Sequence, residues 1–290
     1  MKILVTGGSG LLGSRLSEMA VAEGHRVYSA YCHNPPEFGV PIKLDLADIK
    51  AVSRCIDELS LDAVIHAAAI TDVDRCETDK GLAYSINSDG TRIVSEAADR
   101  AGAFLVYLST DYVFEGTSGM YSEEDKPSPV NYYGYTKLEG ERYCSGCVAR
   151  TCVVYGSRPA SGKINFALWI IERLEAGEEV KAVVDQYVTP TLNTNLAKMV
   201  LEAAEKRLCG TYHLAGATRV SRYEFACRLA DIFGLDEDLI RPSSMSDMSW
   251  KAKRPADSSL DTSKAMRVLD EKPYDLVRSL KTLRSEMNGD

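Results

Sequence analysis

The stretch "VTGGSGLLGSRL", residues 5–16, limits what this chain can become more than any other. It sets Gly7, Gly8, Gly10 and Gly13 between a short apolar run, residues 2–6, and a helical pattern, residues 11–22. A strand that turns straight into a helix through glycine can bring its backbone against an anion and seat the helix close to the strand. The helix start then presents free N–H groups and the positive end of its dipole to phosphates. Two templates fit, Gly8–Gly10–Gly13 as GxGxxG and Gly7–Gly10–Gly13 as GxxGxxG. Either predicts a dinucleotide-binding turn. A P-loop is not supported, because no Gly-Lys-Ser/Thr follows.

The pattern beyond the turn agrees. Strands are predicted at 2–6, 26–31, 42–46, 62–68, 103–109 and 147–156, and helices at 11–22, 48–59, 81–100 and 131–144. Such alternation implies an α/β fold, a doubly wound parallel (Rossmann) sheet. The run "AFLVYL" is apolar throughout, as a strand covered on both faces must be. After Gly156 the rhythm loosens, with helices near 164–176, 193–206, 221–233 and 274–287 and short strands near 180–184 and 210–216. The expected division is a Rossmann domain over 1–155 and a smaller α/β substrate lobe over 156–290, parts of which return to the Rossmann sheet.

A net charge of −8 argues against nucleic acid or an anionic membrane as the main partner. No apolar run is long enough to span a bilayer, and the opening residues read as a first strand rather than a signal peptide. The eight cysteines are scattered. They are expected as reduced thiols in a cytoplasmic protein. The CxxC at Cys144–Cys147 lacks a second ligand pair for zinc, and no metal set is assigned.

"NYYGYTKLEGE", residues 131–141, places Tyr133 four residues before Lys137, on one face of a helix, with Tyr135 nearly opposite. An isolated pair of this kind is ordinarily a solvated ring-and-stem contact. Its setting changes the reading. "YLSTDYVFEG" leaves a strand whose carboxyl end is where doubly wound sheets bind ligands. A hydroxyl, a phenol and an ammonium suit carbonyl reduction. Tyr133 would give the proton, Lys137 would lower the phenol's pKa, and Thr110 would donate to the developing oxyanion. Strand alternation turns Ser109 the other way. After the second strand no acid appears before Glu37, so the usual reader of an NAD ribose is missing and NADPH or NADH is expected. His33 could sit near a 2′-phosphate.

"TGGSGLLG", "HAAA", "LSTDYVFEG" and "YYGYTK" together resemble the extended short-chain dehydrogenase/reductases. "INSDGT", "DQYVTPT", "GTYHLAG" and "RPADSSLDTSK" bring the chain closest to the dTDP-4-dehydrorhamnose reductases. The resemblance implies a nucleotide-sugar substrate in dTDP-rhamnose biosynthesis. It places Gly10, Leu11 and Leu12 at the dinucleotide phosphates, Asp45 and Leu46 by the adenine, and Ala69, Ile70, Thr71 and Leu108 along the cofactor channel. Tyr133 and Lys137 reach ribose and substrate. Thr110 and Asp111 face the sugar. Arg254 could bind a diphosphate or form a surface ion pair. Asp45 could instead cap the next helix, and Asn87 could brace the region of the 103–109 strand or sit on a helix surface. The family carries tryptophan where "RTCVVYG" has Val153, which puts the sugar's identity in doubt. The Thr-Asp-Glu of the sugar-nucleotide dehydratases is absent, since Tyr112 stands third. A nucleotide-sugar epimerase and a dinucleotide-binding regulatory subunit similar to that of methionine adenosyltransferase stay as alternatives. A homodimer is compatible with the family.

Overall fold

A computed structural model describes residues 1–289. Its centre is a parallel sheet. β1 (Lys2–Thr6) leads through the glycine turn into α1 (Leu11–Ala22), then β2 (Arg26–Tyr31), β3 (Val40–Lys43), α2 (Ile49–Leu59) and β4 (Ala63–His66). α3 (Val73–Thr78), α4 (Lys80–Tyr84) and α5 (Gly90–Ala101) follow, then β5 (Phe104–Thr110), α6 (Tyr132–Glu141) and β6 (Cys147–Thr151). β4 and β5 are buried along their whole length, as their unbroken apolar runs require.

Three expectations shift. The third strand lies at 40–43 rather than 42–46, so Leu44 and Leu46 are free to turn into the core under α2 and α5. The helix expected over 81–100 carries a wider π turn at Ser85–Asp89, which delivers Asn87 inward. The strand expected over 147–156 breaks after Thr151 and resumes as β7 (Val154–Tyr155). Val153 sits at the break with φ +41°, a costly setting for a β-branched residue.

The second half continues with α7 (Phe166–Glu175), β8 (Val180–Val183), β9 (Tyr187–Val188), β10 (Thr191–Leu192), α8 (Asn193–Glu205) and β11 (Gly210–His213). It closes with β12 (Val220–Ser221), α9 (Arg222–Phe233), β13 (Ile240–Ser243), α10 (Ser263–Val268) and α11 (Leu276–Asn288). The central sheet runs β11-β6-β5-β4-β1-β2-β3. β11 and α8 therefore belong to the central layers, and Leu196, Val200 and Leu214 share a core with Ile3, Val5 and Val106. α7, α9 and α11 enclose a second core around Tyr155, Phe225 and Leu280. The strand order reverses between β1 and β4. That is the crevice where doubly wound sheets take ligands.

Candidate active site

The glycine turn opens on this crevice. Gly7 has φ +70°, and a Cβ there would fall 2.9 Å from the backbone of Ala68, in the loop after β4. A Cβ on Gly13 would lie 2.1 Å from the Gly7 carbonyl. Glycines of both templates are needed: Gly7 turns, a Cβ on Gly8 would fall 2.8 Å from Ser29 of β2, Gly10 is the N-cap of α1, and Gly13 packs the helix on the turn. No side chain caps α1. Its first N–H groups, including those of Leu11 and Leu12, keep the helix's anion-binding character. The residues fit a dinucleotide pyrophosphate on this observation.

The facing wall is braced from below. The Asn87 carboxamide accepts from the Ile70 N–H at 2.8 Å and donates to the Ile70 carbonyl and to Thr136 Oγ1. Asn87 is buried, not on a helix surface, and it steadies the loop after β4 and α6 rather than the β5 region it was expected to brace. Ala69 and Ile70 are half-buried and Thr71 is exposed along this loop. Asp45 does not cap α2. Its carboxylate accepts from Ala47 N, and Asp48 is the N-cap, accepting from Ala51 N at 3.0 Å. Leu46 and Leu108 are buried side chains of the two core layers.

At the end of β5, alternation separates the two hydroxyls as expected. Ser109 Oγ donates to Glu141 on α6 at 2.5 Å, while Thr110 Oγ1 donates to Asp111 at 3.0 Å and also reaches the Tyr133 phenol. Asp111 is buried, and its second oxygen accepts from Cys152 Sγ at 3.1 Å and Ser258 Oγ at 2.5 Å. Burial raises its carboxyl pKa, against the lowering by those three donors. The carboxylate is thus held by protein donors on both oxygens.

Asn131 caps α6 by accepting from Gly134 N at 2.9 Å, and its amide donates to the Lys253 carbonyl. Tyr133 follows in the first turn, half-buried, with its ring edge-on to Tyr112 at 6.0 Å. Tyr135 is the outward one, 40% exposed. Lys137 is buried, its ammonium 4.2 Å from the centre of the Tyr107 ring. The expected lowering of the phenol's pKa is not what the structure shows. Burial pushes Tyr133 well above the usual phenol range, and the same loss of water brings Lys137 down to about 7 despite Glu141.

Arg254 makes an ion pair with Asp74 at 2.9 Å, and its guanidinium lies 5.5 Å from the Trp250 ring centre. Arg254 and Trp250 line a cleft of about 430 Å³ with Met245, Met248, Lys253 and Glu115, the last a few residues beyond Thr110. Val153 is half-buried against the small core of Val113, Phe114 and Cys152.

The RmlD substrate binding domain family matches residues 1–288. This chain belongs to that family. A probable low-salt glycan biosynthesis reductase, Agl14 of Haloferax volcanii, is 35% identical over 271 residues, 91% of this chain and 90% of the relative. The methionine adenosyltransferase 2 subunit beta of Rattus norvegicus is 32% identical, covering 91% of this chain and 81% of its own length. The crystal structure of dTDP-4-dehydrorhamnose reductase from Bacillus anthracis in complex with NADP superposes with a TM-score of 0.88 at 30% identity, covering 99% of this chain and 100% of that one.

In this RmlD-family chain, several site neighbours escape motif reading. Tyr107 packs against Lys137, Glu141 accepts from Ser109, and Cys152 and Ser258 donate to Asp111 beside Thr110. The i, i+4 spacing of Glu141 from Lys137 was the only local signal for any of them. Cys144 and Cys147 are free, and burial pushes their thiols up to about 11 and about 12, away from reactive thiolate. Glu23, His25 and Glu205 come within 4.8 Å of one another at the opposite, amino-terminal end of the sheet. Among the described residues no helix is long and apolar enough to cross a membrane.

Proposed function

We propose that this chain reduces the 4-keto group of a nucleotide-activated deoxysugar, of the dTDP-4-dehydrorhamnose class. Bound NADPH or NADH supplies the hydride. Tyr133 gives its proton to the ketone oxygen as negative charge grows there, leaving an alcohol. The high pKa of the phenol keeps that proton in place until the oxygen becomes basic. Thr110 donates to the same oxygen, and Asp111 and Ser258 fix the strand end on which Thr110 stands. Lys137 meets the nascent phenolate with positive charge. Gly7, Gly10, Leu11, Leu12 and Gly13 hold the pyrophosphate, Asp45, Leu46, Ala69, Ile70, Thr71 and Leu108 border the rest of the dinucleotide, and Val153 and Arg254 border the substrate. Arg254 keeps guanidinium donors beyond its bond to Asp74.

The observation that carries this reading is the gathering of Thr110, Tyr133 and Lys137 around the end of β5, next but one in the sheet to the glycine turn. The test mixes the protein with each reduced dinucleotide and a panel of nucleotide-linked 4-ketosugars. Oxidation should follow, and Tyr133→Phe should lower kcat about 10²–10⁴-fold with dinucleotide affinity retained.

A second reading has a specific observation behind it, the 32% identity to a methionine adenosyltransferase regulatory subunit. No oxidation with any sugar, together with co-purification of a larger enzyme, would favour it. Homodimerisation is read by light scattering.

A further inference from the structure

Lys137 is 3% exposed, and its ammonium lies 4.2 Å from the centre of the Tyr107 ring. An ammonium that loses water on burial is costly and ordinarily neutralises. What lies against it is the Tyr107 ring. The ring is fully buried, its hydroxyl donates to the Lys137 carbonyl at 3.2 Å, and it stacks on His66 at 5.7 Å. Gly140 allows the approach: a Cβ there would fall 2.4 Å from the Tyr107 hydroxyl oxygen. The backbone of α6 is thus pressed onto the ring one turn from Lys137.

We propose that Tyr107 is a positioning residue whose ring face is the seat that keeps the Lys137 ammonium charged and in one place. A desolvated cation over an aromatic face is held by the ring's quadrupole, and that attraction acts on the charged form only. The other titratable neighbours do less. Cys76 on α3 and His66 on β4 are neutral, burial having pushed the thiol up to about 11 and the imidazole down to about 3. On α6 itself, Tyr133 is un-ionised. Glu141 favours the charge, but its carboxylate is shared with Arg150 of β6, at 2.7 and 2.9 Å, and with Ser109. The ring is left as the direct partner.

This inference rests on the reading of Lys137 as part of the catalytic group, so its test must be legible without turnover. The protein is labelled with [ε-¹³C]lysine, and the Lys137 signal is assigned by its loss in Lys137→Met. Its midpoint is followed with pH in wild type, in Tyr107→Phe, and with 3,4,5-trifluorophenylalanine placed at 107. The last keeps the ring's shape, so the fold is retained, but empties its negative face. The expected result is an unchanged midpoint for Tyr107→Phe and a fall of about one pH unit for the fluorinated ring. Equal midpoints for the two rings would overturn the proposal. So would a shift in Tyr107→Phe, which would assign the effect to the hydroxyl. If the protein reduces no sugar while the midpoint moves, the reductase reading fails and the seat stands. If it does reduce one, the pH profile of kcat/KM should move with the NMR midpoint.

Discussion

Ser258 donates a 2.5 Å hydrogen bond to Asp111, joining a segment near the end of the chain to the residue beside Thr110. The bond is buried and its acceptor is a carboxyl that burial already disfavours as an anion. Ser258→Ala removes a donor without giving the oxygen water in exchange. We expect a loss of about 1–3 kcal/mol in chemical denaturation. Asp111 steadies Thr110, so kcat should fall while dinucleotide affinity stays unchanged. A variant as stable as wild type would mean that another donor takes the place of Ser258.

Gly13→Ala tests the cradle. The new methyl would sit 2.1 Å from the Gly7 carbonyl, so the turn or α1 must move. Gly7 is itself held at φ +70° against the loop after β4 and has no room to yield. Dinucleotide affinity, read by titration, should drop more than tenfold, and stability by about 1–3 kcal/mol from the overpacked contact. Gly24→Ala is the control, because nothing lies within 4 Å of its Cβ position, although its φ of +83° carries a local cost.

Much of this site was legible because its parts obey periodic rules. The turn could be read from glycine spacing, and Tyr133 and Lys137 from helical spacing. Alternation along β5 separated Thr110 from Ser109. What could not be read depends on long-range partners. Nothing local shows that Asp48 rather than Asp45 would cap α2, because the choice depends on where β3 ends. Asn87 needed the π turn at 85–89 to point inward. The direction of the Tyr133 shift was missed for a related reason. A sequence shows which groups are neighbours, but not how much water each loses, and here desolvation comes first, opposed by the Thr110 hydrogen bond and reinforced by Asp111.

The buried ammonium gives a pH signature. Burial lowers Lys137 from 10.5 to about 7 in the folded chain. Between those values the unfolded chain holds a proton that the folded chain lacks, so this residue's contribution to stability rises with pH across that window. The slope approaches about 1.4 kcal/mol per pH unit. The difference in unfolding free energy between wild type and Lys137→Met, measured without dinucleotide, should grow in wild type's favour from pH 7 upward. A flat difference would show that Lys137 keeps its ordinary pKa.

Acid should act through His66. The ring is fully buried, with Thr6 Oγ1 at 2.7 Å from one nitrogen and Thr91 Oγ1 at 3.1 Å from the other. Burial first, and the Lys137 charge second, lower its pKa from 6.5 to about 3. The unfolded chain takes up this proton as pH falls below about 6.5, while the folded chain refuses it until about 3. Stability present above pH 6.5 is therefore lost progressively toward pH 3, on the order of a few kcal/mol from this group alone. His213, lowered to about 4 chiefly by burial and then by Arg150, adds to the same fall. His66→Gln should be less stable than wild type at pH 7, since two buried hydroxyls lose a fitted partner. Its denaturation midpoint should nevertheless fall less between pH 6.5 and 4, so the two stability curves converge on acidification. Parallel curves would mean that the imidazole protonates in the folded state as readily as in the unfolded one.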